Sequence, residues 1–374
     1  MDFGERAIEQ AKKLHGKIEV VSKVKVRTRE DLSTAYTPGV ASVSTLVASN
    51  KKLAYDHTIK GNSVAIISDG SAVLGLGNIG PEGALPVMEG KALLFKEFAN
   101  IDAYPIVLNT QDPDEIIAVV KAISPGFAGI NLEDISAPRC FGIEEKLRDI
   151  GIPVFHDDQH GTAIVILAAL KNALKVVGKS LKEVKIVIVG AGAAGIATAK
   201  ILKSAKIVML DSKGPINDKR TDLNPYKKQI LKSKKYMNVY SYNAAVSNAD
   251  VFIGLSGNAK LAPQEIKLMA KNPIIFALSN PTPEILPKEA LGAGAAVVAT
   301  GRSDYPNQIN NVLAFPGVFR GALNKRAAQI TEEMKLVAAE TLSSLVLKPT
   351  KDQILPSPLE KGVALKIAGA IEKL

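Results

Sequence analysis

The sequence predicts an α/β fold in two domains, with a last helical segment packing back on the first domain. Three observations predict it. Short apolar runs alternate with longer helical stretches along most of the 374 residues, the pattern of strand–helix units around a parallel sheet. One near-continuous apolar strand, Val184-Lys185-Ile186-Val187-Ile188-Val189, runs straight into Gly190-Ala191-Gly192-Ala193-Ala194-Gly195 and a helix. Acidic residues also recur at the ends of successive strands, where open α/β sheets hold their ligands.

Composition bounds the class. A hydrophobic content of 47% without any Trp allows large aliphatic cores. The net charge is +10, but the lysines are spread in pairs such as Lys51-Lys52, Lys227-Lys228 and Lys234-Lys235. They are not interleaved with aromatics as a base-stacking groove requires. A solvated basic surface is expected, with no nucleic-acid partner, and steering of small anions is a secondary benefit. The single Cys140 excludes an internal disulfide and suits a reducing compartment. Met1-Asp2-Phe3-Gly4-Glu5-Arg6 has no apolar signal core and opens an amphipathic helix with Ile8, Ala11 and Leu14 on one face. No stretch reads as long and apolar enough to span a bilayer, so no membrane partner and a cytoplasmic location are expected.

The elements follow in order. Tyr36-Thr37-Pro38-Gly39-Val40 places a Tyr before a Pro-Gly turn. Tyr36 is a candidate proton donor in a cleft, or simply a half-buried Tyr bonded to a carbonyl. Ser63 to Ser68 reads as a strand, followed by the turn Asp69-Gly70-Ser71. Leu74 to Gly83 is a glycine-rich loop feeding a helix from about Pro86 to Phe98. It resembles a dinucleotide fingerprint superficially, but no long strand and no acid at the right distance accompany it. It reads as a loop shaped for close approach of substrate. Lys91, among Ala92, Leu93, Leu94 and Phe95, is a candidate base whose pKa burial or a nearby cation would lower. Tyr104 to Leu108 is a strand. Asp112-Pro113-Asp114-Glu115 starts a helix with Asp112 as its cap.

Phe127 to Leu132 is a strand running into Glu133-Asp134. Neighbouring side chains on a strand face opposite ways, so both can meet one ion only where the strand ends and turns. Arg139 to Ile150 is a helix, and the next strand, from Gly151 to Phe155, brings the chain to His156-Asp157-Asp158-Gln159-His160. Three or four carboxylates at neighbouring strand ends need a cation, and hard oxygen ligands point to Mg²⁺ or Mn²⁺. His156 and His160 are expected to orient the site or cap the helix that runs from Thr162 to Val177.

The Gly190–Gly195 fingerprint, with its strand, its helix and a second strand from Lys206 ending in Asp211, makes a Rossmann unit. Asp211 would accept from the ribose hydroxyls and repel a 2′-phosphate, while the adjacent Lys213 weakens that preference. Further strands end in Ser256-Gly257, in Ser279-Asn280-Pro281-Thr282 and in Thr300-Gly301-Arg302. Asn310 and Asn311 precede Phe315-Pro316-Gly317, and amides there can bond a carboxylate or hydroxyl, or only cap a loop. From about Val318 the chain reads as helical, broken at Lys348-Pro349 and Leu355-Pro358, with a last helix over 359–373.

Taken together, Tyr36 to Val40, Leu74 to Lys96, Asn131-Leu132-Glu133-Asp134, His156 to Thr162, the Gly190–Gly195 fingerprint, Leu278 to Thr282 and Thr300 to Gly317 resemble the malic enzyme family in its small prokaryotic form. The resemblance implies oxidative decarboxylation of L-malate to pyruvate and CO₂, with NAD or NADP and Mg²⁺ or Mn²⁺, by a homodimer. It implies that Glu133, Asp134 and Asp158 hold the metal. Lys91 would take the C2 hydroxyl proton, Tyr36 would protonate C3, and Asp157 would hold Lys91 or the metal's waters. Gly190, Gly192, Ala193, Ala194, Gly195, Asp211, Ser212, Lys213, Ser256 and Asn280 would line the nucleotide, with Ser71, Lys91, Asn280 and Asn311 on the substrate. Large animal and plant forms place a carboxylate-gripping arginine where this chain has Ala72. The stretch from Gly195 to Asp211 is short for the family, which demands a tight connection near Ser204-Ala205. Some bacterial relatives carry a fused acyltransferase-like domain, which is not expected here.

The expected division is a substrate and metal domain over 1–160, a nucleotide domain over 161–320, and helices over 321–374 returning to the first domain. The N-terminal segment is expected to cross to the partner and place Tyr36 in its site. The rivals are a metal-dependent oxaloacetate decarboxylase of the same fold, another two-domain NAD enzyme such as a shikimate-dehydrogenase-like protein, and a non-catalytic nucleotide sensor.

Overall fold

The computed structural model describes residues 3–257 and 259–374. Met1 and Asp2, where the amphipathic N-terminal helix is expected to open, lie outside the described residues. The chain begins with α1 (Phe3–Leu14), α2 (Arg29–Ala35), α3 (Gly39–Ser49) and α4 (Ala54–His57). Thr28 accepts from the Asp31 N–H while the Asp31 carboxylate accepts from the Thr28 N–H, a capping box that fixes the start of α2. None of these four helices holds a buried residue.

The first sheet is built from β1 (Ser63–Ser68), β2 (Asp102–Val107), β3 (Gly129–Leu132) and β4 (Val154–His156). All its strands are parallel, in the order β2-β1-β3-β4. The intervening helices are α5 (Gly80–Ala99), α6 (Pro113–Ile123) and α7 (Arg139–Leu147). Every residue of β1 and β3 is buried, which explains their unbroken apolar character. Asp112 caps α6 as its position predicts, accepting from the Asp114 and Glu115 N–H groups. Helix α5 starts six residues earlier than expected, at Gly80. Pro81 sits in its first turn, where no N–H is needed, and Pro86 is accommodated inside the helix.

Helix α8 (Asp157–Val177) also starts early. The stretch expected to precede the helix forms its first turn, because Asp157 and Asp158 favour the positive end of the helix dipole. By length and composition α8 is the one described helix that could cross a membrane, contrary to expectation, yet 67% of its most apolar window is buried within the fold. It is the central core helix, packed between α9 and α15.

The second sheet contains β5 (Lys185–Val189), then, after α9 (Ala193–Ile201), β6 (Lys206–Asp211) and β7 (Gly214–Pro215). Helices α10 (Pro225–Leu231) and α11 (Tyr242–Val246) lead to β8 (Val251–Gly254), α12 (Pro263–Ile266) to β9 (Ile274–Ala277), and α13 (Pro287–Gly292) to β10 (Val297–Thr300). The order is β10-β9-β8-β5-β6-β7, parallel except for β7. Residues 202–205 alone join α9 to β6, the tight connection that the spacing demands.

The chain closes with α14 (Phe315–Asn324), α15 (Glu332–Ser344) and α16 (Val363–Glu372). Helices α14 and α16 pack on each other and back on α5 of the first sheet's layer. Phe95 of α5 meets Phe315 and Phe319 of α14 edge-on, with ring centroids 4.7 and 5.2 Å apart, and Phe155 of β4 meets Phe319 at 5.7 Å. Such pairs add specific geometry to the apolar burial. One apolar cluster consequently runs through both sheets, and a second covers the outer face of the nucleotide sheet.

Candidate active site

Two strand ends, one helix start and one helix face meet at the centre. Glu133 extends β3, donating its N–H to the Ile67 carbonyl at 2.9 Å. Asp134 then takes φ +54°. That left-handed turn brings together two side chains that a regular strand would hold apart. Asp158, in the first turn of α8, accepts the Asp134 N–H at 2.9 Å. Glu133, Asp134 and Asp158 each present an oxygen, and these oxygens lie within 4.8 Å of one another.

Lys91 reaches this group from α5. Its Nζ donates to Glu133 at 2.6 Å and to Asp157, and lies 4.4 Å from the Phe315 ring centroid, a cation–π contact. The side chain is only 7% exposed. Burial works to lower its pKa, as expected from sequence, but the charges of Asp157 and Glu133 outweigh burial and the net shift is upward. These two carboxylate partners favour the ammonium form of Lys91.

The carboxylates show the opposite strain. Burial first, then the charges of Asp158 and Glu133, push Asp134 up to about 9. Glu133 and Asp158 are also raised, chiefly by burial, and burial brings Asp157 to about 6 against the pull of Lys91. Asp134 Oδ2 is buried without a hydrogen-bond partner. Three crowded, desolvated acids with an unpartnered oxygen are a donor set that fits a hard divalent cation.

The two histidines are not in this cluster of oxygens. His156 is fully buried, neither ring nitrogen has a partner, and burial lowers its pKa. Its Nδ1 is 3.8 Å from Asp158. His160 bonds Glu144 at 2.9 Å and Lys335 at 3.1 Å. Gly161 is where it is because a Cβ there would overlap Asp157 Oδ1.

At the nucleotide fingerprint, a Cβ on Gly195 would overlap the Gly190 carbonyl, so α9 and the turn can approach only through glycine. No side chain caps α9, leaving backbone N–H groups of Ala193, Ala194 and Gly195 for an anion. Asp211 is not a lone acid. It accepts from Arg220 at 2.7 and 3.1 Å and from Lys227 at 2.6 Å. The Lys213 N–H also bonds it, while the Lys213 ammonium pairs with Asp222 at 3.0 Å. Ser212 lies in the turn between them. Ser256 accepts the Ala259 N–H at 2.9 Å. Exposed Asn280 has its backbone against Gly75 of the first glycine-rich loop. Asn311 lies against Gly161, and so beside Asp157.

Two expected residues sit elsewhere. The Ser71 hydroxyl donates to Asp69 at 2.6 Å and accepts the Ser136 N–H at 2.9 Å, so it braces two loops. Tyr36 closes α2 and is 65% exposed, and no described hydrogen bond or ring contact joins it to Lys91 within the chain. Its cause is plain: the helices that carry it pack on nothing that buries them.

Sequence reasoning missed several participants. Asn131 donates to Glu133 at 2.8 Å, and the period-2 alternation of β3 could have found it. Asp69 pairs with Arg139 at 3.0 Å behind Ser71. Glu284, buried in the nucleotide domain, accepts from the Ser279 hydroxyl, which in turn accepts the Gly257 N–H at 2.9 Å. Glu144 carries no local signal, since a mid-helix Glu reads as surface.

A family model described as the malic enzyme N-terminal domain matches residues 15–148, and one described as the malic enzyme NAD binding domain matches residues 159–373. A "Bifunctional malic/malolactic enzyme" of Bacillus subtilis is 53% identical, covering 100% of this chain and 93% of that protein. An "NADP-dependent malic enzyme" of Halomonas elongata is 45% identical over 96% of this chain and 90% of its own length. The crystal structure of the NAD-dependent malic enzyme of Thermotoga maritima superposes with a TM-score of 0.94 at 48% identity, covering 98% of both chains. Two family models matched in chain order, relatives of this similarity along nearly the whole length, and the three-carboxylate centre beside Lys91 lead to one conclusion: the chain belongs to the malic enzyme family.

Proposed function

We propose that this chain catalyses the oxidative decarboxylation of L-malate to pyruvate and CO₂ with reduction of NAD(P)⁺. The observation that carries the reading is the shared pocket of Lys91 and the Glu133, Asp134 and Asp158 oxygens. Those three carboxylates would hold Mg²⁺ or Mn²⁺. Bound there, the cation would supply polarisation of the C2 oxygen, and the nicotinamide would supply the acceptor for the C2 hydride. Lys91 removes the C2 hydroxyl proton, and Asp157 holds its ammonium in line. With Glu133 engaged by a cation, Lys91 would feel less of that carboxylate's charge and the cation's own charge besides, and both effects would lower its pKa toward a working base. The C4 carboxylate then leaves as CO₂, and Tyr36 protonates C3 of the resulting enol to give pyruvate.

Asn280 and Asn311 orient the substrate and the nicotinamide end, while Ser71 shapes the loop. The turn from Gly190 to Gly195 takes the pyrophosphate, with Ser212, Lys213 and Ser256 at its borders. Asp211 takes the ribose hydroxyls, and the two cations paired with it, Arg220 and Lys227, make a 2′-phosphate tolerable, which supports use of either nucleotide.

Residues 1–160 supply the substrate and metal half, 161–320 the nucleotide half, and 321–374 the return to the first half. The chain works as a homodimer. What supports this is the surface of α1–α4, which carries Phe3, Ile8, Leu32, Tyr36, Val43 and Leu46 exposed, apolar side chains of the kind that protein–protein interfaces cover. A free, buried Cys140 suits the reducing cytoplasm.

The test is a steady-state assay of nicotinamide reduction from L-malate with each nucleotide and each metal. We expect metal-dependent NAD(P)H formation that EDTA abolishes. We expect Asp158→Asn to lose it by at least a hundredfold while the Kd for NAD⁺ stays within twofold. Rapid oxaloacetate loss without nicotinamide reduction from malate would favour the decarboxylase rival instead.

A further inference from the structure

Glu144 has no part in the chemistry above, yet it is the most heavily engaged acid behind it. It lies on α7 with its side chain 14% exposed. Its carboxylate accepts the His156 N–H at 3.0 Å, the Gln159 Nε2–H at 3.1 Å and the His160 ring at 2.9 Å. These three donors bracket Asp157 and Asp158 on both sides. One carboxylate thus closes the junction where β4 ends and α8 begins, the five residues that carry one metal ligand and the partner of Lys91.

The clamp has a second anchor. Lys335 of α15, only 7% exposed, bonds the His160 ring at 3.1 Å and Glu332 at 2.7 Å. A continuous chain of bonds therefore runs from the C-terminal helix through His160 to Glu144 and the metal-bearing turn.

We propose that Glu144 is the positioning residue of the metal site, fixing Asp157 and Asp158 from behind, and that Lys335 ties this clamp to α15. The inference rests on the metal role of Asp158 proposed above. The physical reason is that metal ligands bind tightly only when their own orientation is set by surrounding bonds, and loss of such a support weakens metal affinity by roughly 10–100-fold. Glu144→Gln keeps the size but leaves a single acceptor oxygen for three donors.

The experiment measures binding of Mn²⁺ alone, by the electron paramagnetic resonance of free Mn²⁺, and of NAD⁺ by fluorescence, on the full chain. Glu144→Gln is expected to raise the Mn²⁺ Kd about tenfold with the NAD⁺ Kd within twofold. Lys335→Met is expected to raise the Mn²⁺ Kd about threefold alone and to add little to Glu144→Gln, the mark of two residues on one path. Gln159→Met removes one of the three donors and is expected to weaken Mn²⁺ binding about threefold, which keeps the test open if Glu144→Gln fails to fold. An unchanged Mn²⁺ Kd in either folded variant would overturn the clamp. Parallel loss of Mn²⁺ and NAD⁺ binding would also overturn it, and would assign Glu144 to folding alone. Absence of Mn²⁺ binding by the wild-type chain would overturn both this inference and the metal site on which it rests.

Discussion

Glu144 and Asp134 are both buried acids, and their surroundings drive them in opposite directions. Asp134 faces like charges and is pushed up to about 9. Glu144 is penalised by burial too, but His160 and then His156 and Lys335 overcome that penalty and hold it at about 2. A carboxyl depressed in the folded state stabilises the fold above its unfolded pKa and loses that contribution as pH falls toward the folded value. The fall from 4.5 to about 2 corresponds to about 3 kcal/mol at neutral pH. This contribution is complete above about pH 5 and less than half remains at pH 3. Urea unfolding of wild type and Glu144→Gln should therefore show a stability difference that shrinks steeply between pH 5 and pH 3. A difference independent of pH over that window would show that the Glu144 charge does not stabilise the fold.

At the scale of elements, the site is made where regular structure stops. β3 ends in a left-handed Asp134, and β4 hands over to α8 with no loop between. The abruptness of the second junction depends on Gly161, because any Cβ there would displace the Asp157 carboxylate from Lys91. Gly161→Ala puts a methyl group on a helix that otherwise favours alanine by about 1 kcal/mol. Secondary structure should be preserved by circular dichroism. The turnover number should fall at least tenfold, with a smaller effect on the NAD⁺ Kd, since the fingerprint lies on other elements. Wild-type turnover in this variant would show that the Asp157–Lys91 pair does not need its present geometry.

At the scale of the whole molecule, one chain keeps two of the proposed participants apart. Lys91, Glu133, Asp134 and Asp157 are buried together, while Tyr36 lies exposed on a helix that buries nothing. A second copy whose α1–α4 segment covers this chain, and the reverse, would bring Tyr36 to the neighbour's Lys91. Mixed dimers of Tyr36→Phe and Lys91→Ala chains would then contain one site with both residues intact. We expect co-refolded mixtures to recover activity well above either parent, toward a quarter of wild type. Activity no higher than the parent mutants would place Tyr36 in its own chain's site, or outside the chemistry. Light scattering of the wild type should give twice the chain mass of 39.6 kDa.

The layers and strand ends of this fold were written locally. Continuous apolar runs marked the buried parallel strands, Asp112-Pro113 marked a helix start, and the Gly190–Gly195 turn with Asp211 marked the nucleotide unit, because each depends on contacts within some twenty-five residues. The sequence by itself thus determined the α/β class, the order of most strands, and the identities of Glu133, Asp134, Asp158 and Lys91 as residues to be explained. Only the tertiary structure decided how they act together. It alone put Lys91 of α5 against Glu133 and Asp157 of two other elements, 42 and 66 residues away, and so set the charges that oppose the effect of burial on its pKa. It alone surrounded Asp211 with Arg220 and Lys227, gave Glu144 its three donors, and left Tyr36 outside the cluster. Those are electrostatic and packing relations between distant segments, and they are set by distance in space, which no local pattern of residues encodes.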